Sequence, residues 1–344
     1  MKILFLINSL KSKSGTERVA IELANKLSFI ANYDITLLNR ESIKNNTAYP
    51  VSDNVNVVVI SGNYLEFYKK LKIHVSLHLY DMVIVHNMGK LSLLCALLPK
   101  IKKLVTLEHV SFVSRPKKVQ ILSKFFYKWV DQVVTLTQKD KEQFDKFHSK
   151  VIVIPNFSPF PIVPDLPLSS KKIVTIGRLT DQKNYLHLLK AWKKIYQMIP
   201  EWHLNIYGEG EHNKMLEDYI KQNSLQQVVL KGSTSNVQDV YMNSDFFVMS
   251  SKYEGLPMVL VEAQSFGLPI ISYDCPLGPS DVIQDHKNGL LVENQNIEAL
   301  ADAILQLASS PNMLMQFSQN SLVNAKKYQP EQILKVWIEK VLGG

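Results

Sequence analysis

Residues 155–167, Pro-Asn-Phe-Ser-Pro-Phe-Pro-Ile-Val-Pro-Asp-Leu-Pro, carry five prolines. Proline fixes φ and lacks an amide hydrogen, so this run can neither enter a central strand nor continue a helix. It divides a chain of 344 residues, a length that already favours two domains. On both sides short apolar runs alternate with helical segments. Before the prolines they are Lys2–Asn8, Ile35–Leu38, Val55–Ile60, Met82–His86, Leu104–Leu107 and Val133–Thr137. After them come Ile173–Ile176, Leu204–Tyr207, Val228–Leu230, Phe246–Met249, Ile270–Tyr273 and Gly289–Val292. Apolar strands separated by helices predict parallel sheets covered on both faces. The expected fold is α/β: two doubly wound, Rossmann-like domains facing a cleft, with ligands at the carboxyl ends of the strands. The expected divisions are 1–154, a linker at 155–168, a second domain at 169–325 and a tail at 326–344.

The charge is uneven along the chain. Residues 1–150 hold 23 Lys and Arg against 12 Asp and Glu, whereas residues 151–344 hold 16 against 19. Such asymmetry implies halves with different partners. Cys95 and Cys275 are the only cysteines, which excludes a disulfide framework and suits a reducing compartment. Met1–Leu10 is apolar but lacks a small-residue cleavage site, and reads as a buried first strand. The longest apolar stretch, Leu91–Leu98, is far short of the about 18 residues a membrane span requires. A soluble or peripheral protein is expected.

The chemistry concentrates in residues 250–267, Ser-Ser-Lys-Tyr-Glu-Gly-Leu-Pro-Met-Val-Leu-Val-Glu-Ala-Gln-Ser-Phe-Gly. The stretch follows a strand and opens a helix, with Pro257 expected at the first helical position. Gly255 permits a tight loop and close backbone approach. Free amides at a helix N-terminus, with the helix dipole, favour an anion. Glu254 precedes the helix and Glu262 lies about a turn and a half inside it. Ionised carboxylates accept hydrogen bonds and suit a sugar diol, although two solvated glutamates on an amphipathic helix would read the same way.

Other strand ends repeat the theme. Gly177-Arg178-Leu179-Thr180-Asp181-Gln182-Lys183-Asn184 sets two cations five residues apart, fit for one diphosphate or for a solvated basic loop. Tyr207-Gly208-Glu209-Gly210 and Lys231-Gly232-Ser233 end the next two strands in glycine turns. Each is weak alone; together they indicate one site edge. In the first half, His109 ends a strand and could donate to a sugar or phosphate oxygen, or be a satisfied core histidine. His86 and Asn87 carry the same ambiguity. Ser14-Gly15-Thr16-Glu17 is a capping-box pattern that starts a helix. No Asp-x-Asp pair and no His/Cys cluster with metal-ligand spacing occurs, so no metal is expected. Neither a P-loop nor a Gly-x-Ser-x-Gly elbow is present.

These motifs, with Glu254-Gly255-Leu256-Pro257…Glu262-Ala263 and Asn288-Gly289-Leu290-Leu291-Val292, resemble the retaining nucleotide-sugar glycosyltransferases of family 4, of GT-B fold, over nearly the whole chain. The resemblance implies that Arg178 and Lys183 hold the donor diphosphate and Glu262 the ribose hydroxyls. It places Glu254 and the loop and helix start after it (Gly255, Leu256, Pro257, Met258 and Val259) at the transferred sugar. Gly177, Gly208 and Gly232 would line the donor site. His109 falls beside the donor sugar, and Gly15 in the loop abutting the phosphates, where the family often has two glycines and this chain has Ser14-Gly15. The tail, Gln332–Leu342, would cross back to the first domain.

The expected activity is metal-independent, retaining hexosyl transfer from a nucleotide diphosphate sugar, UDP first, without another cofactor. A nucleotide-sugar epimerase or a non-catalytic nucleotide-sugar-binding protein would share many of these features. The expected acceptor is a glycan or a lipid-diphosphate-linked glycan, and no nucleic-acid partner is expected. Lys100, Lys102, Lys103, Arg115, Lys117, Lys118, Lys124 and Lys128 cluster among Val119, Ile121, Leu122, Phe125, Phe126 and Trp129. The apolar residues could pack on the sheet. The cations fit an anionic, cytoplasmic membrane surface, which attracts such clusters at about 1 kcal/mol per basic residue.

Overall fold

The computed structural model describes residues 1–11, 15–30, 33–41, 47–87, 90–98, 101–164 and 168–343. The chain divides into two compact units, Met1–Pro155 with Val336–Gly344, and Asn156–Lys335.

The first unit runs β1 (Lys2–Ile7), α1 (Gly15–Ser28), β2 (Asp34–Asn39), β3 (Val55–Val59), α2 (Tyr64–His78), β4 (Met82–Asn87), α3 (Lys90–Cys95), β5 (Leu104–Glu108), α4 (Lys117–Phe126), β6 (Gln132–Thr135), α5 (Gln138–Asp145) and β7 (Val151–Val153). The strands form one parallel sheet in the order β3-β2-β1-β4-β5-β6-β7. At three residues, β7 is too short to show as a sequence pattern. Strand side chains alternate between faces. Leu4, Leu6, Val83, Val85 and Val133 therefore share one face, where they join Phe67 of α2, Leu91 of α3, Tyr127 just after α4 and Phe144 of α5 in a single core. Those helical segments thus lie along the same side of the sheet.

The second unit runs β8 (Lys172–Ile176), α6 (Tyr185–Ile195), β9 (His203–Tyr207), α7 (Asn213–Gln222), β10 (Val228–Gly232), α8 (Val237–Met242), β11 (Phe246–Met249), α9 (Met258–Ser265), β12 (Ile270–Tyr273), α10 (Pro279–Val282), β13 (Gly289–Val292), α11 (Ile297–Ala308), α12 (Pro311–Ala325) and α13 (Pro330–Trp337). Its parallel sheet has the order β10-β9-β8-β11-β12-β13. The order reverses beside β8, and a doubly wound sheet opens its ligand crevice at such a switch point.

Residues 156–164 of the proline run are laid onto this unit. The Ser158 amide donates to the Tyr328 carbonyl at 2.7 Å, and the Val163 amide to the Ser265 carbonyl at 2.8 Å. Past α13 the tail makes a π-helical turn, Ile338–Leu342, within the first unit. There the carbonyls of Val341 and Lys340 accept from Lys103 Nζ and Gln132 Nε2. No described helix is long and apolar enough to cross a membrane.

Candidate active site

The strand ends of the second unit are joined backbone to backbone. A Cβ on Gly208, whose φ is +142°, would sit 1.8 Å from the Gly177 carbonyl oxygen. The Gly177 amide donates to the Tyr207 carbonyl and the Gly208 amide to that of Gly232, at 2.9 and 2.8 Å. The Leu179 amide bonds the Glu209 carbonyl, and the Leu179 carbonyl accepts from the His212 amide. Glycine is required where main chains meet this closely. The turns after β8, β9 and β10 consequently form one continuous edge. A similar contact locks the key loop: a Cβ on Gly278, at φ +93°, would lie 1.9 Å from the Gly255 carbonyl oxygen.

Onto this edge the sequence sets its charges. Lys183 Nζ pairs with Glu254 Oε1 at 2.7 Å, and both side chains are largely buried. The Lys183 carbonyl accepts from Ser250 Oγ at 2.9 Å, and Gln182 Nε2 donates to the Tyr253 carbonyl at 3.0 Å. These contacts fasten the β8–α6 turn to the loop before α9. Arg178 is exposed and forms no ion pair among the described residues. The turn therefore presents one open cation and one already half-neutralised.

The loop carrying Glu254 leads into α9, which starts at Met258, so Pro257 caps the helix where the first helical position was expected. No side chain caps α9, and its Leu260 amide returns to the Pro257 carbonyl at 3.0 Å. Leu256 is buried, while Met258 and Val259 are partly exposed. Glu262 is buried, and its Oε2 accepts from the Tyr241 hydroxyl at 3.0 Å.

Three supporting residues carry no role in the sequence reading. Tyr241 of α8 holds Glu262. Tyr185, whose hydroxyl lies 2.8 Å from where a Gly177 Cβ would be, is buried; burial and then the Glu254 charge raise its pKa, against a lowering Thr175 hydrogen bond. Asn184 is buried in left-handed backbone at the start of α6, and its Nδ2 has no acceptor among the described residues. A buried donor left unpaired costs about 1–3 kcal/mol, which a ligand oxygen would recover. The signal was available: Asn184 directly follows Lys183, and asparagine tolerates left-handed backbone.

The chain matches the family described as Glycosyltransferase Family 4 over residues 13–157, and that described as Glycosyl transferases group 1 over residues 160–322. It is 33% identical to the amylovoran biosynthesis glycosyltransferase AmsD of Erwinia amylovora, over 98% of each chain. This chain belongs to glycosyltransferase family 4. Among solved structures it resembles Anabaena HepE in complex with UDP, with a TM-score of 0.83, 17% identity and full coverage of both chains. It also resembles the lipopolysaccharide outer core galactosyltransferase WaaB in apo form, with a TM-score of 0.82, 19% identity and coverage of 100% and 99%. These likenesses establish the GT-B fold.

In the first unit of the transferase, His109 follows β5 and is partly exposed. Its Nε2 shares a hydrogen bond with His86 Nδ1 at 3.1 Å, the rings stacked at 5.3 Å. Burial lowers His109 to about 4, and burial with the neighbouring His109 charge takes His86 well below its usual range. The pair is neutral near pH 7, so either ring can donate but neither attracts a phosphate by charge. Gly15 opens α1, and a Cβ there would meet nothing within 4 Å. Packing thus does not demand this glycine, and the backbone stays approachable. Its partner in the capping pattern, Ser14, lies outside the described residues.

The basic cluster needs one correction. Arg115 is not a surface cation but is 4% exposed, paired with Glu108 at the end of β5. Tyr127 Oη donates to Glu108 Oε1 at 2.7 Å, and Arg115 Nη1 to Tyr127 Oη at 3.2 Å. Beside them Asp140, accepting from the Phe112 amide at 2.8 Å, is pushed up to about 6 chiefly by burial. Arginine satisfies a buried carboxylate with a planar fork, a role its position among lysines concealed. Among the described residues no group of three or more His, Cys, Asp and Glu gathers as a metal site would require.

Proposed function

We propose that this glycosyltransferase moves a hexose or N-acetylhexosamine from a UDP-sugar to a lipid-linked glycan, with retention and without a metal, in bacterial polysaccharide biosynthesis. The observation that carries the proposal is the fused glycine edge, with Arg178 open, Lys183 paired to Glu254, and Glu262 held by Tyr241. Arg178 and Lys183 offset the growing charge on the departing diphosphate, an interaction that strengthens as the glycosidic bond breaks. Lys183 shifts its charge from Glu254 toward the phosphate, leaving that carboxylate to accept from the sugar hydroxyls. Glu262 takes the ribose diol. The acceptor oxygen attacks the anomeric carbon on the face the phosphate leaves, and its proton passes to the phosphate oxygen. His109, as a neutral ring, donates to the transferred sugar.

The named relatives support this reading. AmsD belongs to amylovoran biosynthesis, HepE holds UDP, and WaaB acts on the lipopolysaccharide outer core. The basic first half suits the inner face of the cytoplasmic membrane, where a lipid-borne acceptor would be met.

A panel of nucleotide sugars tested for thermal stabilisation identifies the donor. The best binder is then assayed with lipid and soluble acceptors, with and without EDTA, and the product anomer is read by NMR. UDP-sugar turnover surviving EDTA with the donor's anomeric configuration is expected. Inversion, or complete loss restored by magnesium or manganese, overturns the mechanism. Sugar interconversion without transfer would make the protein an epimerase.

A further inference from the structure

Helix α4 buries Val119 and Ser123, and Phe126 at its end packs half-buried against the core. Ile121 at 68%, Leu122 at 45%, Phe125 at 55% and Trp129 at 48% exposure stand in solvent. For these four the alternative of packing on the sheet is thereby excluded, whereas Val119 and Phe126 do pack inward. Helix α2 repeats the arrangement: Phe67, Leu71 and Val75 face the core, whereas Leu65, Ile73 and Leu77 are outside, Leu77 at 73% exposure. Both helices lie on the same side of the first sheet; α3 packs against α4, and Tyr68 Oη of α2 donates to the Leu97 carbonyl just after α3 at 2.8 Å. Leu97 is itself exposed.

One flank of the unit thus carries two apolar ridges. Exposed apolar side chains grouped along neighbouring elements, with Phe125 and Trp129 in ring contact, mark an interaction site where singly scattered ones do not.

The charges around the ridges decide the partner. From Tyr64 to His78, Lys90 to Cys95 and Lys117 to Trp129 the sequence holds eight lysines and a single acid, Glu66. All eight lysines are exposed. A second copy of the chain would bring the same lysines against them and be repelled. Lys128 Nζ lies over the rings of Phe125 and Trp129, at 4.1 and 4.3 Å from their centroids. Long basic side chains rising past apolar rings can place ammonium groups among lipid phosphates while the rings enter below them.

We infer that α2 and α4 form a paired, partly inserted foot on an anionic phospholipid bilayer, which orients the first unit toward an acceptor in that leaflet. The inference rests on the membrane-bound acceptor proposed above and adds to it. Two insertion lines fix orientation, which attraction by lysines alone cannot do.

Trp129 makes the test direct, because Trp192, Trp202 and Trp337 are all buried. The whole protein is mixed with phosphatidylcholine vesicles with or without phosphatidylglycerol. With phosphatidylglycerol, tryptophan emission should shift to the blue and be quenched by lipids brominated in their acyl chains. Part of the binding should resist high salt. Ile121→Ser with Phe125→Ser, or Leu65→Ser with Leu77→Ser, should each weaken partitioning by at least about tenfold.

Binding that high salt abolishes, with emission unshifted, leaves the lysines as the sole contact and overturns insertion. Self-association with unshifted emission overturns it in favour of a second copy. No binding to either vesicle overturns both insertion and the membrane location. Transfer from UDP-sugar to a soluble acceptor, measured on the same variants, stays at the wild-type rate if folding is intact; its absence in the wild type counts against the catalytic reading instead.

Discussion

The two units hold their site residues by different means. In the second, main chain meets main chain: Gly177 against Gly208, Gly255 against Gly278. Charged side chains then sit on a backbone that cannot shift. In the first, side chains do the positioning, through the Glu108–Arg115–Tyr127 network at the end of β5 and the His86–His109 pair beyond it. A site fixed by backbone contact survives loss of a charge but not the addition of a methyl group. One fixed by buried polar groups behaves in the opposite way.

The largest effect is therefore expected in the first unit. Arg115→Met leaves Glu108 buried without its cation and should cost about 3–5 kcal/mol, read as the urea midpoint of that unit. Combining it with Glu108→Leu should recover most of the loss, because the uncompensated charge is gone. A single variant as stable as wild type would mean that Tyr127 alone satisfies Glu108, and the contrast between the units would fail.

Next comes the methyl test. Gly208→Ala forces the Gly177 turn aside from a left-handed position, and should destabilise the second unit by about 3 kcal/mol. Gly15→Ala, with nothing within 4 Å of the new methyl, should leave stability unchanged and lower turnover if phosphates approach that backbone. Equal melting curves for Gly208→Ala and wild type would refute the fused edge.

That difference also explains what was legible beforehand. Glycine at three successive strand ends announces close backbone approach, so the second unit's edge could be read from the sequence. The parallel sheets followed from apolar runs spaced by helices, whereas the strand order did not. Burial of a charge leaves no such mark. Arg115 stands amid lysines at 100–128, and only the chain's return through Tyr127 shows that it faces inward. Tyr241 was invisible for the same reason: its 21-residue separation from Glu262 becomes contact only when α8 packs beside α9. Exposure of Ile121 and Phe125 was likewise undecidable, since an amphipathic period fits a core face and a membrane face equally.

A smaller effect separates charge from scaffold inside the second unit. Arg178→Ala and Lys183→Ala should each lower kcat about tenfold, or about 1.4 kcal/mol of transition-state stabilisation. Arg178→Ala should melt as wild type because that side chain is exposed. Lys183→Ala should melt earlier, because Glu254 keeps only 8% of its side chain in water and loses its cation. Adding Glu254→Gln should restore the melting temperature without restoring turnover. Near-wild-type rates in both single variants would remove the diphosphate assignment.

The smallest effect lies in the pH dependence of the first unit. His86 and His109 are neutral in the fold, with His109 at about 4 against 6.5 unfolded. As pH falls below 6.5 the unfolded chain takes up protons first, so stability present above 6.5 is lost progressively toward pH 4. Asp140 works against this. Raised from 3.8 to about 6, it binds its proton more tightly when folded, and its penalty grows as pH rises through that window. Two histidines oppose one carboxyl, so the net result is destabilisation on acidification. His109 is partly exposed, and water screens much of its share. His109→Gln should therefore match wild type at pH 8 and melt only about 2 °C higher near pH 4.5. Asp140→Asn should steepen the acid loss instead. Parallel melting profiles for His109→Gln and wild type from pH 8 to 4.5 would show that the pair is not held neutral by burial, and that His109 can carry charge toward the phosphates after all.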